Sequence, residues 1–475
     1  MFFCFEYLFF FSIAFLLTWS VFFSFFFRYR RLLSTISLWT FALFVLIALG
    51  ITYSTLVSVS ITSPTPLYFS ISAVLGEFSF VLYYWPFLFI YLLITLLTVV
   101  YCFAYNYREL QLFQTYVYFI LLVGGFLFWV NSLLLFFLAY EAFLIPSFLV
   151  LYNFAKTRKA TEASFLMFFW TQLGAIFLIF NFQYLFFISG VTSLNELSAV
   201  NFSSVESKFL FWTALVGFGV KFPIWPFYDW LPKAHVEAST NFSIFLSGVL
   251  VKFAFFGFLR YLLVLGFDLT SYLVYPLLLI GFFDASLKVY YQLDLKKLIA
   301  YSTVIEMHWL VFAALNGSGF FWVAGFAMMI SHALVSANFF LLIDSVTRRF
   351  KTRLISELGG LFYVTPTLYL LVLLMLIVFL GFPGSLLFVA EFLFFSALLD
   401  FSLGLFFLIF FVAYFFVPVC FFRSWFLLLF GSPPTNFVAK KQAAPYTDLS
   451  LFEIVITLTL VTLLFWFGLT FQFFL

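Results

Sequence analysis

Long apolar runs separated by short polar breaks make up most of the chain. A helix needs roughly 20 apolar residues to cross the core of a bilayer. Cut at charged and Gly-, Pro-, Asn- or Ser-rich breaks, the sequence predicts about fourteen helices. They lie near 8–27, 36–58, 80–105, 113–130, 133–153, 164–188, 207–226, 241–264, 271–290, 296–315, 319–345, 364–396, 402–430 and 450–473. Alternation at period two is absent, so a β-barrel is not expected. The expected fold class is all-α, a polytopic membrane protein.

Composition agrees. Of 475 residues, 66% are hydrophobic and 9% charged, against about 45–50% and about 25% in a soluble domain. That polar content cannot cover a soluble globule. The net charge of +3 is small and scattered, which argues against nucleic acid as a partner. The 84 Phe residues read as a nucleotide bias, as in an A/T-rich organelle genome, because Phe, Leu and Ile are nearly interchangeable toward acyl chains. Cys4, Cys102 and Cys420 are too far apart for a metal site or disulfide framework. The first apolar run precedes Arg28, Arg30 and Arg31, whereas a signal peptide carries its charges first. That run is therefore expected to be a membrane helix.

The basic residues test the count. Connections after odd-numbered helices carry Arg28, Arg30 and Arg31, then Arg108, then Lys156, Arg158 and Lys159, then Lys233, then Lys288, Lys296 and Lys297, then Arg348, Arg349, Lys351 and Arg353, then Lys440 and Lys441. The even connections carry mostly Glu77, Glu196, Glu206, Asp268 and Asp400, with Lys208 the exception. Positive loops stay on the side of synthesis. Both termini are then expected on the opposite side, and the helix number is even.

Two helices are interrupted, at Lys221-Phe-Pro223-Ile-Trp-Pro226 and at Gly381-Phe-Pro383-Gly384. In lipid such breaks survive only where protein or water satisfies the freed backbone. The breaks are five helices apart, as are Glu141 and Glu306, with residue offsets of 160 and 165. This points to two inverted five-helix repeats, 111–265 (helices 4–8) and 266–430 (helices 9–13), with broken helices 7 and 12. A three-helix segment, 1–110, precedes them, and a loop with the last helix, 431–475, follows. Broken helices at matching places in such halves point to an ion pathway; two unrelated kinks are the alternative.

Six ionisable side chains lie deep in apolar segments: Glu141, Lys221, Lys252, Glu306, His332 and Glu391. A charge at mid-membrane costs a few kcal/mol or more, so such groups face the interior, pair and move ions. Lys221 is the natural partner of Glu141, either as a pair that toggles or as a static lock between helices. Lys252 lies too deep to snorkel comfortably. His332 titrates near neutral pH and suits a relay, or is a hydrogen-bonded core residue. Glu391 follows the second break and suits an exit group, or is a static carboxyl. Glu306 and His308 lie early in their helix and are either central or interfacial. Asp284 and Lys288 read as an i,i+4 pair. Arg260, Arg423 and Glu453, near helix ends, need no role beyond anchoring.

Several motifs carry a family resemblance. Val220-Lys-Phe-Pro223, Trp230-Leu-Pro-Lys-Ala-His-Val-Glu-Ala238 and Gly248-Val-Leu-Val-Lys252 through Gly257 to Arg260 resemble the subunit 4 family of NADH dehydrogenase in respiratory complex I. Its bacterial counterpart is subunit M of NADH-quinone oxidoreductase. Tyr140 to Pro146, Asp294 to Ser302, Met329 to Leu334 and Pro383 to Glu391 are similar to further family segments, in family order over residues 131–400. The resemblance implies an antiporter-like subunit that carries protons. Glu141 and Lys221 would form the coupling pair, Lys252 and His332 the relay, and Glu391 the terminal group. The family usually has Ser-His-Met where this chain has Ile305-Glu306-Met307, so a carboxylate stands at the central relay position. A Ser239 also replaces the usual Pro.

The resemblance implies neighbours as well: the other complex I membrane subunits, especially two paralogous antiporter-like ones, and lipids such as cardiolipin. The expected location is the mitochondrial inner membrane, with both termini on the intermembrane-space side. The chain has no nucleotide-binding Gly motif, Cys ligand cluster or His pair at haem spacing. No cofactor or metal is expected in it; NAD, FMN, iron–sulfur clusters and ubiquinone would sit on other subunits. The competing readings are a cation/proton antiporter subunit and a structural subunit whose charges only pack helices.

Overall fold

The computed structural model describes residues 68–70, 79–81, 85–105, 110–154, 157–265, 274–316, 319–432 and 448–470. The first two expected helices, 8–27 and 36–58, lie outside the described residues. From Trp85 onward each expected helix is present, with moved ends. They run Trp85–Tyr105, Leu110–Trp129, Leu133–Asn153, Arg158–Ser189, Ser204–Gly219, Thr240–Phe245 continuing into Val251–Leu265, Val274–Tyr290, Leu295–Asn316, Gly319–Phe350, Pro366–Phe379 with Leu386–Phe401, Leu403–Phe430, and Leu451–Thr470. Among the described residues, seven helical spans are long and apolar enough to cross a membrane.

The shifted ends have local causes. The third helix starts at Trp85 rather than residue 80. Pro86 belongs in a first turn, where its missing N–H would be unpaired anyway, and the residues before it form a hairpin pairing Tyr68–Ser70 with Ser79–Val81. The sixth begins at Arg158, because the Thr157 side chain accepts the Ala160 N–H. The seventh begins at Ser204, where Ser203 and Glu206 form a reciprocal capping box.

The chain forms two compact units, Met1–Lys221 with Val249–Phe267 and Phe222–Gly248 with Asp268–Leu475. In lipid, helices associate by close packing and hydrogen bonds rather than by escape from water. The first unit uses both. A Cβ on Gly174 would lie 2.7 Å from the Gly217 carbonyl oxygen, so only glycine lets these two helices approach. Nearby, Asn181 Nδ2 donates to Leu210 O at 2.8 Å and Thr213 Oγ1 at 2.6 Å, while Asn181 Oδ1 accepts from the Tyr261 hydroxyl. Tyr91, Phe128, Phe253 and Phe256 interlock beside them, with Tyr91–Phe253 and Phe128–Phe256 centroids both 4.8 Å apart.

In the second unit an 18-residue apolar stretch of Leu295–Asn316 and one of Phe321–Phe350 each have 94% of their residues buried, against 28% in Leu403–Phe430 and 33% in Leu451–Thr470. The first pair therefore forms the core and the second pair the periphery. Trp309 packs against Phe394 at 4.4 Å inside, and Phe407, Phe411 and Phe415 point outward. Glu453, expected only to anchor a helix end, is instead buried. It accepts from Arg348 and Arg349, each at 2.7 Å, and from Ser345 at 2.9 Å.

Candidate functional site

In the first unit the helix Ser204–Gly219 stops short of Pro223 and Pro226, which have no N–H to continue it. Lys221 projects from the resulting turn. Glu141 sits one residue before the end of Leu133–Ala142. Pro146 cannot donate to the Ala142 carbonyl, and the chain turns at Phe143 before the helix resumes. Lys221 Nζ and Glu141 Oε1 meet at 2.7 Å, with side chains 6% and 16% exposed. The ammonium also lies 3.8 Å above the Tyr140 ring, a contact worth about 2 kcal/mol when desolvated. The pairing expected from the sequence is thus present.

Glu141 Oε2 and the Tyr140 hydroxyl are buried and have no hydrogen-bond partner among the described residues. Beside them is a cavity with about 20 Å³ of room for water centres, lined by Tyr140, Ser147, Thr171, Lys221 and apolar side chains. That is enough for one water. Lys252 is buried at 3% exposure, so its ammonium does not snorkel. It follows a π-helical turn, Leu246–Leu250. Arg260, expected near an interface, is buried too, donating to Leu127 O at 3.3 Å over the Phe136 ring.

In the second unit Glu306 Oε2 and His332 Nδ1 are 2.5 Å apart. Glu306 and His308 are both buried in the protein interior. Two residues along a helix of 3.6 per turn separates their directions by about 200°, and their partners differ accordingly. His308 Nδ1 pairs with Val304 O at 2.7 Å, and its Nε2 accepts the Trp225 N–H at 3.1 Å. Trp225 lies in the first break, so His308 satisfies a backbone N–H in the interrupted segment. Gly281 makes room for the ring; a Cβ there would lie 2.1 Å from His308 Nε2.

Pro366–Phe379 and Leu386–Phe401 flank the second break, where Gly381 has φ +75° and Gly384 φ +93°. Glu391 is half-buried behind it and accepts from the Tyr414 hydroxyl at 2.8 Å. Tyr414 gave no signal in the sequence, being one of 26 tyrosines in an aromatic-rich chain.

The motif Trp230–Ala238 is built into the second unit. Arg353 Nη1 donates to Val236 O at 2.7 Å, and His235 stacks on Phe340 at 4.9 Å. Lys296, assigned by sequence to a basic connection, is buried and donates to Ala238 O at 2.8 Å. The Asp284–Lys288 pair forms at 3.0 Å. It belongs to a larger group in which Lys288 also reaches Tyr228 at 2.5 Å and Asp229 at 3.4 Å, and Tyr228 donates to Asp284.

A family profile described as NADH:quinone oxidoreductase/Mrp antiporter, TM, matches residues 130–417. NADH-ubiquinone oxidoreductase chain 4 of Paramecium tetraurelia is 34% identical over 354 residues, 74% of this chain and 73% of that one. NADH-quinone oxidoreductase subunit M of Rickettsia felis is 29% identical, over 71% of this chain and 68% of that one. A chain of the Mrp complex from Dietzia superposes with a TM-score of 0.82 at 18% identity, over 98% of this chain and 95% of that one.

Proposed function

Because the chain belongs to the NADH:quinone oxidoreductase/Mrp antiporter family of membrane subunits, we propose that it translocates protons as subunit 4 of a respiratory NADH:ubiquinone oxidoreductase. The observation that carries this reading is the desolvated ion pair Lys221–Glu141 at the end of a broken membrane helix. Separating the pair leaves each charge without its partner, which favours releasing the lysine proton and protonating the carboxylate. Leaving one member of such a pair buried without its partner costs about 3–5 kcal/mol. Moving one proton against 100 mV takes about 2.3 kcal/mol, so one pair suffices in magnitude.

The proton-carrying groups are Glu141, Lys221 and Lys252 in the first unit and Glu306, His332 and Glu391 in the second. The chain itself supplies no redox chemistry in this reading; NAD, FMN, iron–sulfur clusters and ubiquinone belong to other subunits. Its neighbours are the paralogous antiporter-like subunits and membrane lipids, in the mitochondrial inner membrane with both termini on the intermembrane-space side. The internal duplication is supported by a second pair of matching irregularities. π-helical turns begin at Leu246 and Val412, 166 residues apart (246 to 412), close to the offsets of the breaks and the two glutamates.

The test is Lys221→Ala and Glu391→Gln in the assembled complex. Protons moved per NADH oxidised should fall several-fold in sealed vesicles while the complex still assembles. Unchanged pumping in both would leave only a structural role. The antiporter named in the family profile's description supports a second reading, cation/proton exchange. That reading requires sodium- or potassium-dependent proton movement by the chain without NADH oxidation.

A further inference from the structure

Glu391 is held from two sides, and only one of them was legible in the sequence. On the first side is Gly381. A Cβ there would stand 2.8 Å from Glu391 Oε2, and the φ of +75° already favours glycine. On the second side the Tyr414 hydroxyl donates to the same Oε2 at 2.8 Å. Tyr414 projects from the π-helical turn Val412–Phe416 within Leu403–Phe430. Pro418 gives a cause for that turn: it lacks the N–H that would bond the Tyr414 carbonyl, four residues back. One extra residue in the turn rotates the helix face by about 100°, and such turns recur at functional positions. Phe395 at 5.3 Å and Phe410 at 4.8 Å hold the tyrosine ring in place.

We propose that Tyr414 is a positioning residue for proton transfer at Glu391. The inference rests on the proton-translocating reading and specifies how one group in it is controlled. An ionised carboxylate only accepts hydrogen bonds, and the tyrosine hydroxyl supplies one. That bond is charge-assisted and about twice as strong as a neutral one. It holds the carboxylate in the niche against Gly381. When Glu391 takes a proton, the charge assistance is lost and the carboxyl is free to leave the niche. It is half-buried, beside the exposed Phe382 and Phe392, so a rotamer change brings it to the surface of its helix. The tyrosine keeps its own proton throughout: a hydronium O–H breaks as the carboxyl O–H forms, leaving water, and the reverse step returns the proton to water. Among the described residues, the other titratable group acting on Glu391 is the Glu306 carboxylate, itself paired with His332.

The experiment compares Tyr414→Phe, Glu391→Gln and the double variant in the assembled complex, reading protons per NADH oxidised across pH. Losing one hydrogen bond to a charged group should displace the pH profile of Tyr414→Phe by about one unit, tenfold in proton concentration. In the Glu391→Gln background the same change should add nothing. A purely structural tyrosine would lower assembly in both backgrounds and leave the pH profile in place, which overturns the proposal. If Glu391→Gln lowers pumping but Tyr414→Phe moves neither profile nor yield, the positioning role is wrong and the proton-translocating reading stands. If Glu391→Gln leaves pumping intact, both fail together.

Discussion

Glu306 Oε2 lies 2.5 Å from His332 Nδ1, and both side chains are buried in the second unit. A carboxylate at this place gives the histidine a titratable partner, and in the proposed function this pair carries a proton. Glu306→Gln preserves a hydrogen-bond acceptor but not the acid. It should assemble normally and cut protons moved per NADH several-fold. Glu306→Leu leaves His332 without its partner and should destabilise the unit by about 1–3 kcal/mol, seen as a lower melting temperature of the detergent-solubilised complex. Full pumping by Glu306→Gln would remove this residue from the proton-carrying set.

Stability and transport should separate at Lys221–Glu141. Removing one partner of a buried pair costs about 3–5 kcal/mol, whereas replacing both with apolar groups of similar volume is nearly neutral. Lys221→Met and Glu141→Leu alone should each lower complex yield. The double variant should recover yield without recovering pumping, measured as acidification per electron.

Lys296 holds the most specific sequence motif in place through Ala238 O. Lys296→Met keeps the apolar stem and leaves that carbonyl unpaired, at about 1–3 kcal/mol. The expected result is faster proteolysis near Ala238 with protons per electron unchanged in the complex that does assemble. A change in that ratio would give Lys296 a transport role.

Asp448, outside the membrane spans, caps a helix from a distant part of the chain. Its carboxylate accepts the Thr367 N–H at 2.8 Å and the Leu368 N–H at 3.2 Å at the start of Pro366–Phe379. Burial alone would raise its pKa, but hydrogen bonds from Thr367, Leu449 and Leu368 outweigh it and hold the acid below the usual carboxylate range. A depressed folded-state pKa means the stabilisation is complete above the unfolded value, about 3.9, and is lost as pH falls through the folded one. Asp448→Ala should cost about 1 kcal/mol near neutral pH. Its melting temperature should approach that of the wild type on acidification below about pH 4.

The sequence determined the class of structure because lipid leaves few choices. Backbone groups with no water must pair within their own helix, so apolar length alone located each helix from Trp85 on, and Pro223, Pro226, Pro383 and Gly384 located the two breaks. It also singled out Glu141, Lys221, Lys252, Glu306, His332 and Glu391, because an ionisable group in hydrocarbon is conspicuous without any coordinates. The partners of those groups were legible in one case, Lys221 with Glu141.

Tertiary structure decided the rest. A charge near a helix end does not reveal what packs over it, and so Lys296, assigned to a basic connection, and Arg260 and Glu453, given no role beyond anchoring, are buried. The direction of a side chain depends on phase along the helix and on what packs opposite. Glu306 therefore reaches His332 while His308, two residues on, closes the backbone at Trp225. Tyr414 depended on a π-helical turn, and Pro418 alone does not tell a kink from a π turn or say what the ring would meet. Its hydroxyl meets Glu391 only because that turn, the break at Gly381 and the rings of Phe395 and Phe410 converge on one point.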